Sequence, residues 1–262
     1  MDLDLVGKTA VVTGASKGIG LAVVRSLAAE GMNVVAGARG GSAELSELAG
    51  RAAVHPVQVD LTTPDGPARI VDEAVREFGG LDVLVNNVGA VRPRVDGFLA
   101  LTDDDWDWAL RTNFLTAVRT TRAALPHLLE RTPSTIVTVS SVNAFLPDPR
   151  VIDYSAAKGA LSNFCKSLSK EFGHRGVRVN TVSPGPVETA LWLGDDGVAA
   201  TVARAGHGDA AAVMKEAASA AVTGRFTRPE EVADLVALLA SGRAGNVTGA
   251  DVVIDGGMVT TL

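Results

Sequence analysis

The sequence predicts a doubly wound α/β fold: one mostly parallel, seven-stranded sheet with helices on both faces, in three layers. Three observations carry that prediction. Short Val/Ile-rich runs alternate with amphipathic helical stretches along the 262 residues. Near-continuous apolar strands belong to sheets buried on both faces. Short strand–helix connections produce right-handed βαβ crossovers. The hydrophobic fraction of 47% is ample for a core, but aromatic residues make up only 4%, so Ala, Val and Leu must fill it. No composition break divides the chain, which reads as one domain over 1–262.

The first strand is TAVVTG (9–14), and a helix is expected near 18–30. Strands NVVAGA (33–38) and VHPVQVD (54–60) follow, then a helix near 65–78 and the strand LDVLVNN (81–87). A long helix is expected over 103–130. Its start, TDDDW (102–106), looks like a carboxylate cluster, but Thr102 followed by Asp105 is a capping box, and acids favour a first helical turn. Strand STIVTVSS (134–141), helix 154–173 and strand VRVNTVSP (177–184) come next. The stretch 193–212 mixes Gly, Asp and Ala with poor periodicity, as either a mobile segment over a site or a loose insertion; 191–222 is assigned as a substrate lid. A helix near 229–241 opens with Pro229 in its first turn, and ADVVIDG (250–256) is the last strand.

Several functions are disfavoured. A net charge of −6 argues against a general nucleic-acid binder. The lone Cys165 cannot form an intramolecular disulfide and reads as a core thiol from a reducing compartment. The N-terminus begins acidic, and no apolar run reaches the ~20 residues of a membrane span, so a soluble, cytoplasmic protein is expected. His55, His127, His174 and His207 are scattered without metal-site spacing, so no metal is expected.

TGASKGIG puts Gly14, Gly18 and Gly20 directly after the first strand and at the start of a helix. Such a turn lets the backbone approach a pyrophosphate, whose charge the helix N-terminus favours. Ser16, Lys17 and Ile19 complete this loop. A dinucleotide fold that takes NAD usually ends its second strand with an acid on the ribose hydroxyls. Here that position is Ala38, followed by Arg39, with Lys17 close by. A guanidinium grips a 2′-phosphate bidentately, so NADP(H) is expected over NAD(H).

The glycine loop, NNVG (86–89), SS (140–141), YSAAK (154–158) and PGPVET (184–189) fall in one order at familiar separations. Together they resemble the short-chain dehydrogenase/reductase family, with its Rossmann-type fold, from Gly7 to the DGG at 255–257. The resemblance implies that Asp60, with Leu61 beside it, meets the adenine amino group, and that Asn87 and Gly89 line the adenosine side. It implies that Pro184, Gly185, Val187 and Thr189 wrap the nicotinamide, and that Asn113, Ser141, Tyr154 and Lys158 form a catalytic tetrad. Val88 departs from the family's usual Ala. The family further implies a homotetramer, or at least a dimer, paired through the helices of 103–130 and 154–173. The terminal GGMVTTL reads as a subunit contact or a disordered tail.

Tyr154, the only tyrosine of the chain, shares a helix face with Lys158 four residues on. A phenol that works near neutrality must move down from a pKa of ~10, at a cost of ~4 kcal/mol. The Lys158 ammonium and an oxidised nicotinamide would supply it. Ser141 would donate to the substrate oxygen, Asn113 would hold a relay water, and Lys158 would also hold the nicotinamide ribose. Asn143, Phe145, Leu146, Pro147, Ile152 and Trp192, with the segment 91–98, are expected to build an apolar substrate site around Ser141 and Tyr154. Trp192 reads equally as a core or subunit-contact aromatic. Arg131 and Arg175 would meet an acidic acyl carrier, or act as ordinary solvated bases.

The leading expectation is an NADPH-dependent ketoreductase, similar to β-ketoacyl-carrier-protein reductases. An alcohol, steroid or polyol dehydrogenase working oxidatively is the alternative. The Tyr–Lys spacing disfavours an enoyl reductase, because the branch of the family that reduces enoyl groups has a longer gap. A non-catalytic nucleotide sensor would need only the cofactor residues.

Overall fold

The computed structural model describes residues 2–206 and 208–260. Seven strands form one sheet, β1 (Thr9–Thr13), β2 (Asn33–Ala38), β3 (Val54–Gln58), β4 (Val83–Asn86), β5 (Ser134–Val139), β6 (Val177–Pro184) and β7 (Asp251–Ile254), in the order β3-β2-β1-β4-β5-β6-β7. Every pairing is parallel. β1, β4 and β5 are buried along their whole length, as their β-branched runs require. The two edges, β3 and β7, alternate between covered and open positions instead. Pro56 is tolerated in β3 because an edge strand can spare a ladder donor.

Two apolar layers sandwich the sheet. On one face α1 (Gly18–Ala29) and α10 (Pro229–Ala240) bury Val23, Val24, Leu27, Val232 and Val236. On the other, α3 (Gly66–Phe78), α5 (Thr116–Glu130) and α6 (Ile152–Phe172) bury Ile70, Leu128 and Leu161 together with Cys165, the core thiol expected. A Cβ at Gly37 of β2 would overlap the Ile70 side chain, so glycine is what lets α3 lie this close to the sheet.

Three segments differ from the expected elements. The 103–130 helix is two helices, α4 (Asp103–Leu110) and α5, joined by a π-helical turn at Arg111–Leu115. The capping box at its start is present, Thr102 and Asp105 each bonding the other's backbone N–H. A short helix, α2 (Ala43–Ala49), follows β2; only Leu45 of it is buried, so its sequence has almost no apolar periodicity. The 193–212 stretch is not an irregular insertion. It contributes to three short helices, α7 (Ala190–Leu193), α8 (Val198–Arg204) and α9 (Ala210–Ser219). His207 and the last two residues of GGMVTTL lie outside the described residues. No helix among the described residues is long and apolar enough to cross a membrane.

Candidate active site

The sheet order reverses between β1 and β4, so their following helices go to opposite faces and leave a crevice at the strands' C-terminal ends. A cavity of about 1150 Å³ occupies this crevice, beyond the ~300–1,000 Å³ of ordinary ligand pockets. Its lining comes from the segments that leave β1 to β6, and α7–α9 cover one side.

At one end, Gly14 (φ 66°) and Gly18 (φ 56°) occupy the left-handed region that favours glycine. Lys17, the N-cap of α1, makes no side-chain cap, so the first N–H groups of this 12-residue helix have no capping side chain. Ser16, Lys17, Gly18 and Ile19 line the cavity; Gly20 does not, and serves packing instead. A Cβ there would overlap the Gly14 carbonyl and the Asn87 amide. The Asn87 amide donates to Thr13 O at 2.9 Å and Gly14 O at 3.2 Å, bracing the loop from β4. A Cβ on Gly18 would meet Thr189 Cγ2 at 3.2 Å, so the loop nearly touches the segment after β6. This trough of glycines and uncapped N–H groups fits the pyrophosphate of a dinucleotide.

Arg39 and Lys17 both line the adenosine end. Among the described residues neither has a carboxylate within salt-bridge distance. Gly40 and Gly41 beyond Arg39 face open space, and Gln58 Nε2 holds the Arg39 carbonyl at 3.1 Å. Asp60 Oδ1 accepts from Thr62 N at 2.9 Å and Thr62 Oγ1 at 2.7 Å. Those bonds, with Arg39 adding attraction, hold its carboxyl below the usual range. Leu61 lines the wall beside it.

Ser141, Tyr154 and Lys158 line the other end, and Asn113 lies buried just behind the lining. Ser141 and Ser140 leave β5 together, but Ser140 Oγ pairs with Ser162 Oγ of α6 at 2.7 Å. Ser141 instead faces Tyr154, and its Oγ donates to Asn143 Oδ1 at 3.2 Å. Lys158 is 2% exposed; its Nζ donates to Val139 O at 2.9 Å and lies 5.7 Å from the centre of the Tyr154 ring. Burial pulls the Lys158 pKa down to about 8. A Cβ on Gly89 would lie 3.4 Å from Asn113 Oδ1 and 3.5 Å from Lys158 Nζ, so the two side chains flank the same glycine.

Two of the expected roles are set in context by the structure. The π-turn swings Asn113 inward, where Nδ2 donates to Ala90 O at 2.9 Å and Ala109 O at 3.1 Å, while Oδ1 accepts from Ala90 N at 2.9 Å. Both amide hydrogens are thus bonded within the protein. π-turns of this kind widen a helix at functional sites. Without nucleotide, burial pushes the Tyr154 phenol up, with the Ser141 hydroxyl opposing; the acidification expected of it rests on Lys158 and an oxidised nicotinamide together. Because Tyr154 is the only tyrosine, tyrosinate absorbance during alkaline titration reports this group alone. In the protein without nucleotide, its midpoint is expected above the free-phenol value of ~10. Saturation with oxidised nucleotide is expected to lower it, because a nearby cation favours the phenolate. A midpoint below 10 in the protein alone would contradict this account of its burial.

The substrate side is largely apolar. Val91, Pro93, Leu146, Pro147, Val151, Leu191 and Trp192 line it, and Asn143, Asp148, Arg150 and Glu216 add polar and charged groups. Phe145 and Ile152 do not reach the cavity. Phe145 follows the 3₁₀ turn Val142–Ala144, where successive side chains point in different directions, and it is left 45% exposed. Trp192 both lines the cavity and packs edge-on against Phe226, ring centroids 5.4 Å apart. Val202, Val213 and Glu216, within the 191–222 segment, also line the cavity, as do Trp108 and Met258, which were not expected there. Only Trp108 had a sequence signal, an aromatic one and a half turns before Asn113.

Comparison with known proteins gives concordant results. The family model described as enoyl-(acyl carrier protein) reductase matches residues 14–259. The 3beta-hydroxysteroid dehydrogenase 1 of Eggerthella lenta is 35% identical over 97% of this chain and 95% of its own. The 3-oxoacyl-(acyl-carrier-protein) reductase of Escherichia coli is 32% identical over 96% and 97%. The crystal structure of L-sorbose reductase from Gluconobacter frateurii, complexed with NADPH and L-sorbose, superposes with a TM-score of 0.91 at 33% identity, all of both chains being covered.

Proposed function

The chain belongs to the short-chain dehydrogenase/reductase family and is an oxidoreductase acting between CH–OH and C=O groups; from that premise we propose that it reduces a ketone on an apolar skeleton, with NADPH. The observation that carries this reading is one cavity with two chemically distinct ends. Lys17 and Arg39 lie at one, and Ser141 and Tyr154 face each other at the other.

Gly14, Ser16, Gly18 and Ile19 would hold the pyrophosphate, and Arg39 with Lys17 the 2′-phosphate. Asp60 would take the adenine amino group through its less occupied oxygen. Pro184, Gly185, Val187 and Thr189 would border the nicotinamide. When bound, the nicotinamide supplies a hydride to the carbonyl carbon. Ser141 donates a hydrogen bond to the carbonyl oxygen, exchanging its bond to Asn143 for one to substrate. Tyr154 gives the proton; a phenol kept neutral by burial is in the correct state to do so. Lys158, still largely cationic at neutral pH, stabilises the phenolate left behind. Asn113 secures the backbone at Ala90, behind Gly89. Helices α7–α9 act as a lid that excludes water, and the protein works as a homotetramer or dimer.

The oxidative alternative has support from the apolar pocket and from the steroid dehydrogenase relative. The family model's description raises a third possibility, reduction of an enoyl double bond. A nucleotide-consumption screen with β-ketoacyl thioesters, cyclic ketones, steroids, ketoses and enoyl thioesters separates the three. The proposed reading expects NADPH to be consumed with ketones and kcat/KM to favour NADPH over NADH. Turnover confined to enoyl thioesters, or to alcohol oxidation with NAD, would overturn it.

A further inference from the structure

Arg94 lies in the segment that follows β4, and its side chain is only 11% exposed. Its Nη1 donates to Asp105 Oδ1 at 2.8 Å, while Nε and Nη2 both donate to Asp153 Oδ2, at 3.1 and 2.5 Å. Asp153 is 1% exposed, and its other carboxylate oxygen accepts the backbone N–H of Tyr154 at 3.0 Å. Asp105 in turn closes the capping box at the start of α4. The Arg94 backbone N–H donates to Arg150 O at 2.6 Å, immediately before α6. One guanidinium thus ties together the N-termini of two helices. One leads into the π-turn that carries Asn113, and the other carries Tyr154 and Lys158.

A charged cluster built on a buried carboxylate is a costly way to hold two helices together. Apolar side chains of similar volume often do it as well or better. This cluster therefore needs a reason beyond stability, and its location supplies one. Asp153 precedes Tyr154 and bonds that residue's own N–H, so the first turn of α6 follows the carboxylate. Ser141 comes from β5, a different element, and the phenol must meet it across a gap that α6 alone does not set. Val91 and Pro93, on either side of Arg92 and just before Arg94, form part of the cavity wall.

We infer that Arg94 and Asp153 are positioning residues for Tyr154: their buried ion pair, braced by Asp105, fixes the first turn of α6 so that the phenol meets Ser141 and the substrate oxygen. This rests on the reading of Tyr154 as the acid. A misplacement of about 1 Å at a reacting group costs ~100-fold in rate.

The test uses the full-length enzyme with Arg94→Lys, Asp153→Asn and the double variant Arg94→Met/Asp153→Leu. Arg94→Lys keeps the charge but loses the planar fork, and the double variant removes both buried charges at once. Four quantities are read: melting temperature, NADPH affinity by fluorescence, kcat on the best ketone, and the ring resonances of ¹³C-labelled Tyr154. All three variants are expected to show kcat lowered by about 10- to 100-fold, NADPH affinity within about 3-fold of wild type and a shifted Tyr154 ring signal. The double variant is expected to recover melting temperature without recovering kcat. Recovery of kcat with melting temperature would overturn the inference, as would an unmoved ring signal with wild-type kcat in Arg94→Lys and Asp153→Asn. If the double variant does not fold, these two single variants decide. A wild-type enzyme that turns over no ketone would instead overturn the function proposed above, and the ring resonances would then decide the positioning role by themselves.

Discussion

Tyr154→Phe is expected to lower kcat for ketone reduction by about 10³-fold, within the 10²–10⁴ that a positioned general acid contributes. NADPH affinity is expected to stay within about 3-fold of wild type, since the substitution removes one hydroxyl and no phosphate contact. The substitution is clean for structural reasons. The ring remains to fill its place, and Lys158 is anchored to Val139 O rather than to the phenol. The partner left behind, Ser141 Oγ, keeps its bond to Asn143 and so is not orphaned. Steady-state turnover and fluorescence titration of nucleotide check both halves. Turnover above a tenth of wild type would remove Tyr154 from the proton-transfer role.

Ala38→Asp/Arg39→Ala is expected to reverse the nucleotide preference. A guanidinium–phosphate contact involves charge-assisted hydrogen bonds worth ~1.5–3 kcal/mol each. Losing one or two of them predicts a fall in kcat/KM with NADPH of about 100-fold. An acid at the end of β2 offers the ribose hydroxyls of NAD an acceptor, so kcat/KM with NADH is expected to rise by about 10-fold. Ala38 and Arg39 both line the cavity, so the new side chains face it, and Ser42 independently caps α2. Comparing the two nucleotides in wild type and variant measures it. Equal use of both by wild type, or a ratio that the substitutions leave unchanged, would refute the assignment.

Much of this was legible in the chain because the strands declare themselves locally. β1, β4, β5 and β6 are β-branched runs buried along nearly their whole length, and no competing helical pattern obscures them. The glycine loop and the Tyr154–Lys158 pair were legible because five motifs fall in one order at the separations of the family they resemble. Ser140, beside Ser141, is engaged by Ser162 of α6, a tertiary contact that no spacing in the sequence records.

What stayed hidden depends on partners distant in the chain. The π-turn at Arg111–Leu115 is held by Asn113 bonding Ala90 and by Thr116 Oγ1 bonding Leu61 O at 3.3 Å, neither of which a helical period records. Helices α7–α9 escaped because each is short and only α8 has buried residues, Ala199 and Val202. Phe145 misled because apolar character says nothing about direction after a 3₁₀ turn. The Arg94–Asp153 pair spans 59 positions, and only the fold brings its members together.

The most direct measurement of the central claim follows the hydride itself. NADPH deuterated at both C4 positions is incubated with the enzyme and its best substrate, and the product is analysed by NMR and mass spectrometry. The account predicts a secondary alcohol with one deuterium on the carbinol carbon, and about 10³-fold less of that labelled alcohol from Tyr154→Phe over the same interval. Deuterium on a saturated carbon β to an intact carbonyl or thioester group with no carbinol formed, or a product without deuterium, would contradict it.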